Sequence, residues 1–336
     1  MKADVVRVAV IQASPVFLDR DASLEKAVRL ISEAARKGAS LAAFGEGWLP
    51  GYPVHAWSSA NSELWWELAA AYLEQAVDFQ SAVIDTLCSA AGKANIDIVI
   101  GLAEREPMTR GSVYSTLLFI GREGQILGRH RKLKPALYER VVWADGDVVG
   151  LQAYDRGYAS VTGLTSTEHQ MVLPTYALAE QGTQIHVASW PGGEPQSPSS
   201  GLSMWSRQHL LSRAFAIQTG AYVLCAAGTL TQDAIPEKYR NQLTQRLTGD
   251  SVIIDPRGEI IAGPVQGEDT VVAECSMALL RSAKVAFDCA GHSSRRDQLK
   301  LSIEPPEESD EATADQDHGF DARNEPLDHD RDDKKP

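Results

Sequence analysis

The stretch YALAEQGTQIHVASWPG, residues 176–192, contains the pattern that decides the fold. Its first part continues a helical pattern that begins near residue 170, and residues 184–190 form an apolar run typical of a buried strand. The strand stops abruptly at Pro191 and Gly192. A helix that leads directly into a buried strand is the unit from which α/β sheets are built.

The same alternation extends in both directions along the chain. The first predicted helix, residues 22–37, has Asp21 placed as its N-cap and Gly38 placed to end it. The other predicted helices are residues 62–77, 79–94 and 203–219. The predicted strands are residues 5–12, 40–44, 96–103, 113–120, 125–131, 158–164 and 222–226. Turns at residues 122–124 and 255–258 predict hairpins, the second of which closes the regular part. The sequence therefore predicts an α/β protein.

Charge and composition divide the chain near residue 304. Of the formal net charge of −13, about −9 comes from residues 304–336, which contain 13 acidic and 4 basic residues. This segment has almost no large apolar residues, so it cannot offset its own ordering entropy by burial. We expect one domain over residues 1–303 and an acidic, disordered tail over residues 304–336. The chain has no basic cluster that could neutralise a run of phosphates, which argues against a nucleic-acid partner.

The four cysteines, at positions 88, 225, 275 and 289, show neither a CxxC pairing nor a metal-ligand spacing. We therefore expect no metal, no cofactor and no disulfide framework. No segment approaches about 18 consecutive apolar residues, and no signal-peptide pattern follows Met1. These features predict a soluble, cytoplasmic protein without a membrane partner.

Reactive side chains follow three of the predicted strands, which is where α/β sheets place their sites. Glu46 lies in FGEGWLPGYP (residues 44–53), where partial desolvation would raise its pKa toward that of a useful base. Lys132, in HRKLKP (residues 130–135), could stabilise a developing negative charge. Ser166, in GLTSTEH (residues 163–169), could be a nucleophile at a helix N-terminus. Taken alone, each stretch also fits a structural role: a surface turn, a solvated sheet edge, and an N-cap serine or threonine with a following glutamate.

Taken together and in this order, these stretches resemble the nitrilase branch of the carbon-nitrogen hydrolase superfamily. The resemblance runs from about residue 6 to residue 301, and it is closest in residues 176–192 and in residues 283–301, which include FDCAGHSSRRDQL. It implies a four-layer αββα sandwich. It also implies a homo-oligomer in which subunits pair through their outer helices into dimers, and the dimers extend into spirals or helical filaments.

The same resemblance assigns roles to individual residues. Glu46 matches the general base, Lys132 matches the lysine that binds the tetrahedral intermediate, and Glu139 matches the glutamate that orients the lysine and the nucleophile. Ser166 lies where the family has its nucleophilic cysteine. The implied substrate-binding residues are Tyr52, His55, Trp57, Glu168, His169 and Trp190. The aromatic residues among them favour a small nitrile or amide with an apolar or arylaliphatic side.

The serine at position 166 departs from the family pattern, because a hydroxyl is a much weaker acid than a thiol. A Cys-to-Ser change made to trap a substrate and a natural divergence both fit this residue. Neighbouring departures, including Gly45, Ala136 and Val148, favour divergence. Three functions stay open: a hydrolase that uses Ser166, an enzyme of altered reaction type, and a non-catalytic assembly homologue. The three retained charges favour the hydrolase, because buried charges are costly to keep without a use.

Overall fold

The computed structural model describes residues 4–58, 61–193, 204–243 and 247–304. Residues up to Glu304 group into one compact unit. The predicted tail lies outside the described residues apart from Glu304, so both its disorder and the domain boundary stay predictions.

Two six-stranded sheets form the centre of this unit. The first sheet has the order β14-β1-β2-β3-β4-β5. Its strands are β1 (Val5–Gln12), β2 (Leu41–Ala43), β3 (Asp97–Arg105), β4 (Val113–Ile120), β5 (Ile126–Arg131) and β14 (Asp269–Ser276). Strands β1, β2 and β3 are parallel, whereas β4, β5 and β14 pair with their neighbours in the antiparallel sense.

The second sheet has a similar plan, with the order β13-β12-β9-β8-β7-β6. Its strands are β6 (Tyr154–Asp155), β7 (Ser160–Thr165), β8 (Ile185–Trp190), β9 (Tyr222–Ala227), β12 (Val252–Ile254) and β13 (Ile260–Ala262). Strands β7, β8 and β9 are parallel and the remaining pairs are antiparallel. A separate two-stranded pair consists of β10 (Thr229–Leu230) and β11 (Leu247–Thr248).

Side-chain alternation along the strands explains how these sheets stack. On β1, Val6, Val8 and Val10 join a core between the two sheets, while Ala9 and Ile11 join a second core beneath the helices. Because successive side chains of a strand point to opposite faces, a strand that is apolar on both faces must be covered on both sides.

Helices provide the two outer layers. Helices α1 (Arg20–Arg36) and α3 (Ala82–Ala94) cover the first sheet, and α4 (Val172–Glu180) and α5 (Met204–Thr219) cover the second. Helix α2 (Glu63–Gln75) packs over loops at one end of the sandwich, and α6 (Met277–Ala286) follows β14. The predicted αββα sandwich is therefore confirmed. Within the described residues, no helix is both long enough and apolar enough to cross a bilayer.

Two local predictions were wrong. Helix α1 begins at Arg20 and not at Ala22, because the Asp19 carboxylate caps it by accepting the backbone N–H of Ala22 at 2.9 Å. The regular part also does not end at the hairpin near residue 256, because β14 and α6 follow it. Strand β14 alternates only weakly in burial, since it is the edge strand of the first sheet, and this left no clear pattern in the sequence.

Candidate active site

Three buried charged side chains meet at the ends of the strands. The Lys132 Nζ atom lies 2.8 Å from Glu46 Oε1 and 2.7 Å from Glu139 Oε2. Lys132 has no exposed surface, and Glu46 and Glu139 are only 2% and 4% exposed. The alternatives that placed Glu46 in a surface turn and Lys132 at a solvated sheet edge are therefore wrong.

Glu46 is held in place by close backbone packing. It follows β2, and its N–H donates to the carbonyl of Trp190, at the end of β8, at 3.1 Å. A Cβ atom on Gly45 would lie 2.7 Å from the backbone nitrogen of Gly228, and one on Gly101 would lie 2.4 Å from the Gly45 carbonyl oxygen. Glycine is therefore needed at both positions, because the turn that carries Glu46 packs directly against the backbone of neighbouring segments.

Lys132 and Glu139 are fixed by different elements. The backbone N–H of Lys132 donates to the carbonyl of Ser115 on β4, and the Ser115 hydroxyl donates to Glu46 Oε1 at 3.0 Å. Glu139 lies in a 3-10 turn, Leu137–Val141, where it accepts the Ala136 N–H at 2.6 Å and the Tyr52 hydroxyl at 2.7 Å. The first sheet and two loops thus fix the relative positions of the lysine and both carboxylates.

The charges of this cluster do not balance, because one ammonium group faces two carboxylates. Burial and repulsion by Glu139 raise the pKa of Glu46 to about 7, although Lys132 acts in the opposite sense. Burial alone would lower the pKa of Lys132, but the two carboxylates outweigh this effect and raise it. Lys132 is therefore cationic near neutral pH, and Glu46 exchanges a proton in that range. A carboxylate with this pKa suits both general base and general acid roles.

Ser166 lies where β7 ends, in a strained conformation. Its φ angle is +44°, a left-handed value that residues other than glycine rarely adopt. The side chain is fully buried, and its Oγ atom has no hydrogen-bond partner among the described residues. Thr165, and not Ser166, is the N-cap of the 3-10 turn Ser166–Gln170, and its N–H donates to the Glu168 carboxylate at 2.9 Å. The alternative of a capping serine or threonine with a following glutamate is therefore confirmed for Thr165. The buried hydroxyl of Ser166, on a strained strand end, is a candidate functional group.

Glu168 ties the end of β7 to the loop that carries Lys132. Its carboxylate accepts the Leu133 N–H at 2.8 Å, the Thr165 N–H at 2.9 Å and the His130 ring N–H at 3.0 Å. Burial alone would raise the pKa of Glu168, but His130 and the backbone donors outweigh it and hold the pKa at about 2. Because Leu133 follows Lys132 directly and Thr165 precedes Ser166, this carboxylate brings the lysine and the serine to the same end of the sandwich.

A chain of hydrogen bonds supports Ser166 from the side of the helices. The His169 Nδ1–H donates to the Ser166 carbonyl at 2.8 Å, because a carbonyl can only accept. The Nε2 atom of neutral His169 then accepts from His186 Nε2 at 3.0 Å, and His186 Nδ1 accepts from the Thr162 hydroxyl at 2.8 Å. Burial lowers the pKa of His169 to about 4, which keeps the ring neutral. We interpret this chain as a support for the backbone of Ser166.

The structure separates the predicted substrate-binding residues into three groups. Tyr52 contacts the charged cluster directly, and Trp57 lies beside it, with ring centroids 5.6 Å apart. Trp190 contributes its backbone carbonyl to the site, but its ring stacks on His169 and its indole N–H donates to Ser212. The polar atoms of Glu168 and His169 are likewise engaged within the protein. Substrate binding by these residues stays a prediction, and their contacts favour a positioning role for Glu168, His169 and Trp190. His55 is fully buried among aromatic rings.

Two residues of the site were not predicted. Ser115 bonds to Glu46, and the Trp143 ring has its centroid 5.6 Å from Lys132 Nζ and 5.4 Å from the ring of Tyr52. The only signal for Trp143 was an aromatic residue shortly after Glu139, and a serine within a strand carries no distinctive pattern. Within the described ranges, no group of three or more His, Cys, Asp or Glu side chains could hold a metal ion.

The sandwich and its buried acid–base cluster define an α/β enzyme with its site at the ends of the strands. Residues 7–285 match the carbon-nitrogen hydrolase family, and the chain belongs to this family. It is 47% identical over 305 residues to Nitrilase 2 of an unknown prokaryotic organism, covering 90% of this chain and 93% of that protein. It is 34% identical over 306 residues to an aliphatic nitrilase of Rhodococcus rhodochrous, covering 88% and 82%. The crystal structure of Saccharomyces cerevisiae Nit3 has the same fold, with a TM-score of 0.68, 20% identity and coverage of 86% and 97%.

Proposed function

We propose that this enzyme hydrolyses the carbon–nitrogen bond of a small nitrile or amide, with Ser166 as the nucleophile. The observation that supports this most is the buried Glu46–Lys132–Glu139 cluster. Glu168 links the backbone beside Lys132 to the backbone beside Ser166, so the cluster and the serine lie at the same end of the sandwich. Two reactive atoms of this region, Glu46 Oε2 and Ser166 Oγ, are buried and have no hydrogen-bond partner in the part of the chain that the structure describes. Both are thus available to a substrate. The names of the relatives support a nitrile as the substrate.

The first step of the proposed reaction is addition of the serine to the nitrile. The Ser166 Oγ atom bonds to the nitrile carbon as one carbon–nitrogen π bond opens. Glu46 takes the hydroxyl proton, because its raised pKa makes it a stronger base than an exposed carboxylate, and then gives this proton to the nitrogen. The Lys132 ammonium stabilises the negative charge that develops on the former nitrile nitrogen. The product of this step is an imidate ester.

Two molecules of water complete the reaction. Glu46 takes a proton from the first water as the water oxygen bonds to the imidate carbon, and gives this proton to the nitrogen. The new hydroxyl group then passes its proton through Glu46 to the nitrogen, a carbon–oxygen double bond forms, and the carbon–nitrogen bond breaks to release ammonia. This leaves an acyl ester on Ser166. Glu46 deprotonates the second water, whose oxygen bonds to the ester carbon; the bond to Ser166 Oγ then breaks, Oγ takes the proton back from Glu46, and the acid is released. An amide would enter this sequence at the tetrahedral stage. Glu139 contacts Lys132 and takes no proton in this scheme, so we propose that it positions the lysine.

Incubation of the full chain with a panel of aliphatic and arylaliphatic nitriles and amides tests this proposal. Ammonia in solution and the intact mass of the protein are measured for the parent and for Ser166→Ala. We expect either ammonia or a retained acyl or imidate adduct from the parent, and neither from the variant. If the parent gives neither with any compound, the serine is not a nucleophile for this substrate class. That result would favour an altered reaction type or a non-catalytic homologue.

Cytoplasmic localisation and assembly into dimers or spirals also stay proposals. Exposed apolar residues on α4 and α5, such as Val172, Leu173 and Ile217, support pairing through the outer helices. Light scattering on the full chain would test this, and a stable monomer would contradict it.

A further inference from the structure

Several buried polar atoms beside the charged cluster have no hydrogen-bond partner within residues 4–58, 61–193, 204–243 and 247–304. They are both ring nitrogens of His55, the indole nitrogens of Trp65 and Trp143, and the hydroxyl of Tyr72. We call these four residues the distal cluster. Each is at most 9% exposed. Leaving a buried donor or acceptor unsatisfied costs about 1–3 kcal/mol, so several such atoms in one place indicate that something else binds there.

The distal cluster is continuous with the catalytic side chains. The His55 ring centroid lies 5.4 Å from that of Tyr72 and 6.4 Å from that of Trp65. Trp143 joins this group to the site, because its ring packs against Tyr52 and faces Lys132. The Trp143 indole also lies near enough to the Tyr72 hydroxyl to influence its pKa, although the two do not form a well-aligned hydrogen bond.

The chemistry of these atoms limits what they can bind. Indole N–H groups only donate, and the Tyr72 hydroxyl can donate as well, so the ligand must present an acceptor. Burial lowers the pKa of His55 to about 4, so its ring is neutral and offers one further donor and one acceptor. Burial and the charges of Glu46 and Glu139 raise the pKa of Tyr72, so an anionic ligand group would be repelled at this position. The indole N–H groups have no lone pair to offer a cation. The group that fits is neutral and accepts hydrogen bonds.

We propose that the distal cluster is a second subsite, which binds a neutral hydrogen-bond acceptor at the far end of the substrate from the reacting carbon. This inference rests on the proposed function and narrows its substrate class. The substrate is then a nitrile or amide that carries a hydroxyl, a carbonyl or a second nitrile at its other end. A purely hydrocarbon end would leave the donors of Trp65, Tyr72 and Trp143 unsatisfied.

Binding measured without turnover tests this inference separately from the chemistry of Ser166. In a Ser166→Ala background, calorimetry gives Kd for linear dinitriles of increasing length and for mononitriles with the same number of heavy atoms. We expect the dinitrile to bind about tenfold more tightly at the length that reaches the subsite, which is the effect of one or two neutral hydrogen bonds. An analogue that ends in a carboxylate should bind more weakly than the dinitrile of that length.

Two variants and a matched control locate the effect. Tyr72→Phe removes only the hydroxyl, and His55→Phe keeps an aromatic ring. Both variants should reduce the ratio of the mononitrile Kd to the dinitrile Kd toward one. Tyr222→Phe should keep it, because the hydroxyl of that buried tyrosine bonds to the backbone of Ser276. Thermal unfolding shows whether each variant is folded. Equal affinity for dinitriles and mononitriles at every length, or a preference that survives in both variants, would overturn the inference and leave interior water as the partner of these atoms.

Discussion

Replacing Lys132 by methionine should reveal how strongly the charged cluster depends on its only cation. The lysine makes two ion pairs of 2.7–2.8 Å with carboxylates that are almost fully buried. Methionine has a similar length and no charge, so Lys132→Met would leave Glu46 and Glu139 facing each other in a poorly solvated space. Removing one partner from a buried ion pair costs about 3–5 kcal/mol. We expect a loss of that size in the free energy of unfolding at pH 8.

The pH dependence of this loss follows from the direction of the Glu46 pKa. In the parent, burial raises this pKa from 4.5 to about 7, so the stability that protonated Glu46 contributes is present at low pH and declines as the pH rises through 7. Without Lys132, which acts to lower this pKa, the carboxylate holds its proton to still higher pH. The difference between parent and variant should therefore be greatest above pH 7 and smaller near pH 5.

Urea unfolding at pH 5 and pH 8 measures both effects. The matched control is Lys134→Met, because Lys134 lies two residues away and pairs with Asp145 on the surface, where both side chains are 55% exposed. An exposed pair contributes about 0–1 kcal/mol. Equal losses for the two variants, or a Lys132→Met loss below about 1 kcal/mol at pH 8, would refute the assignment of Lys132 as the cation of a buried cluster.

Three further predictions concern the surroundings of the site. Glu168→Gln should lower the free energy of unfolding by about 3 kcal/mol at pH 7. This loss should become smaller as the pH falls from 4.5 toward 2, because the parent carboxylate takes up its proton in that range; urea titration measures both. Gly101→Ala should cost about 3 kcal/mol because of its backbone contacts, whereas Gly111→Ala, with nothing within 4 Å, should cost almost nothing. His186→Phe keeps a ring but removes the hydrogen bond to His169, which supports the backbone of Ser166. We expect kcat for ammonia release to fall about tenfold, with little change in KM or in the melting temperature. A change in KM alone would contradict this.

The sequence allowed most of the sandwich to be predicted, because strands that are apolar on both faces and helices that are apolar on one have different periods. Strands β1 and β4 have the predicted bounds. Strand β14 could not be predicted in this way. Its place is set by antiparallel pairing with β1, from the other end of the domain, and its outward side chains are partly exposed. Backbone pairing between distant segments leaves little trace in local residue patterns.

Glu46 and Lys132 could be predicted because each follows a strand and matches a family motif, whereas Glu139 was predicted from the motif alone. Several residues around them could not be predicted, since their roles depend on tertiary packing. Tyr72 lies on α2, in a pattern that reads as an ordinary apolar helix face, and Trp143 lies in a loop. His169 lies in the turn after β7 and His186 lies on β8, so their roles depend on which ring atoms face each other, and only the structure gives that information.

The most direct test of the central claim is ammonia release from Ser166→Cys compared with Ser166→Cys combined with Glu46→Gln, on aliphatic and arylaliphatic nitriles. A thiol ionises far more readily than a hydroxyl at nearly the same volume, so the cysteine variant should release ammonia faster than the parent. The double variant, which lacks the base, should lose this activity. No ammonia from a folded Ser166→Cys variant on any nitrile, or equal rates with and without Glu46, would contradict the proposal that position 166 and the Glu46–Lys132 pair form one hydrolytic site.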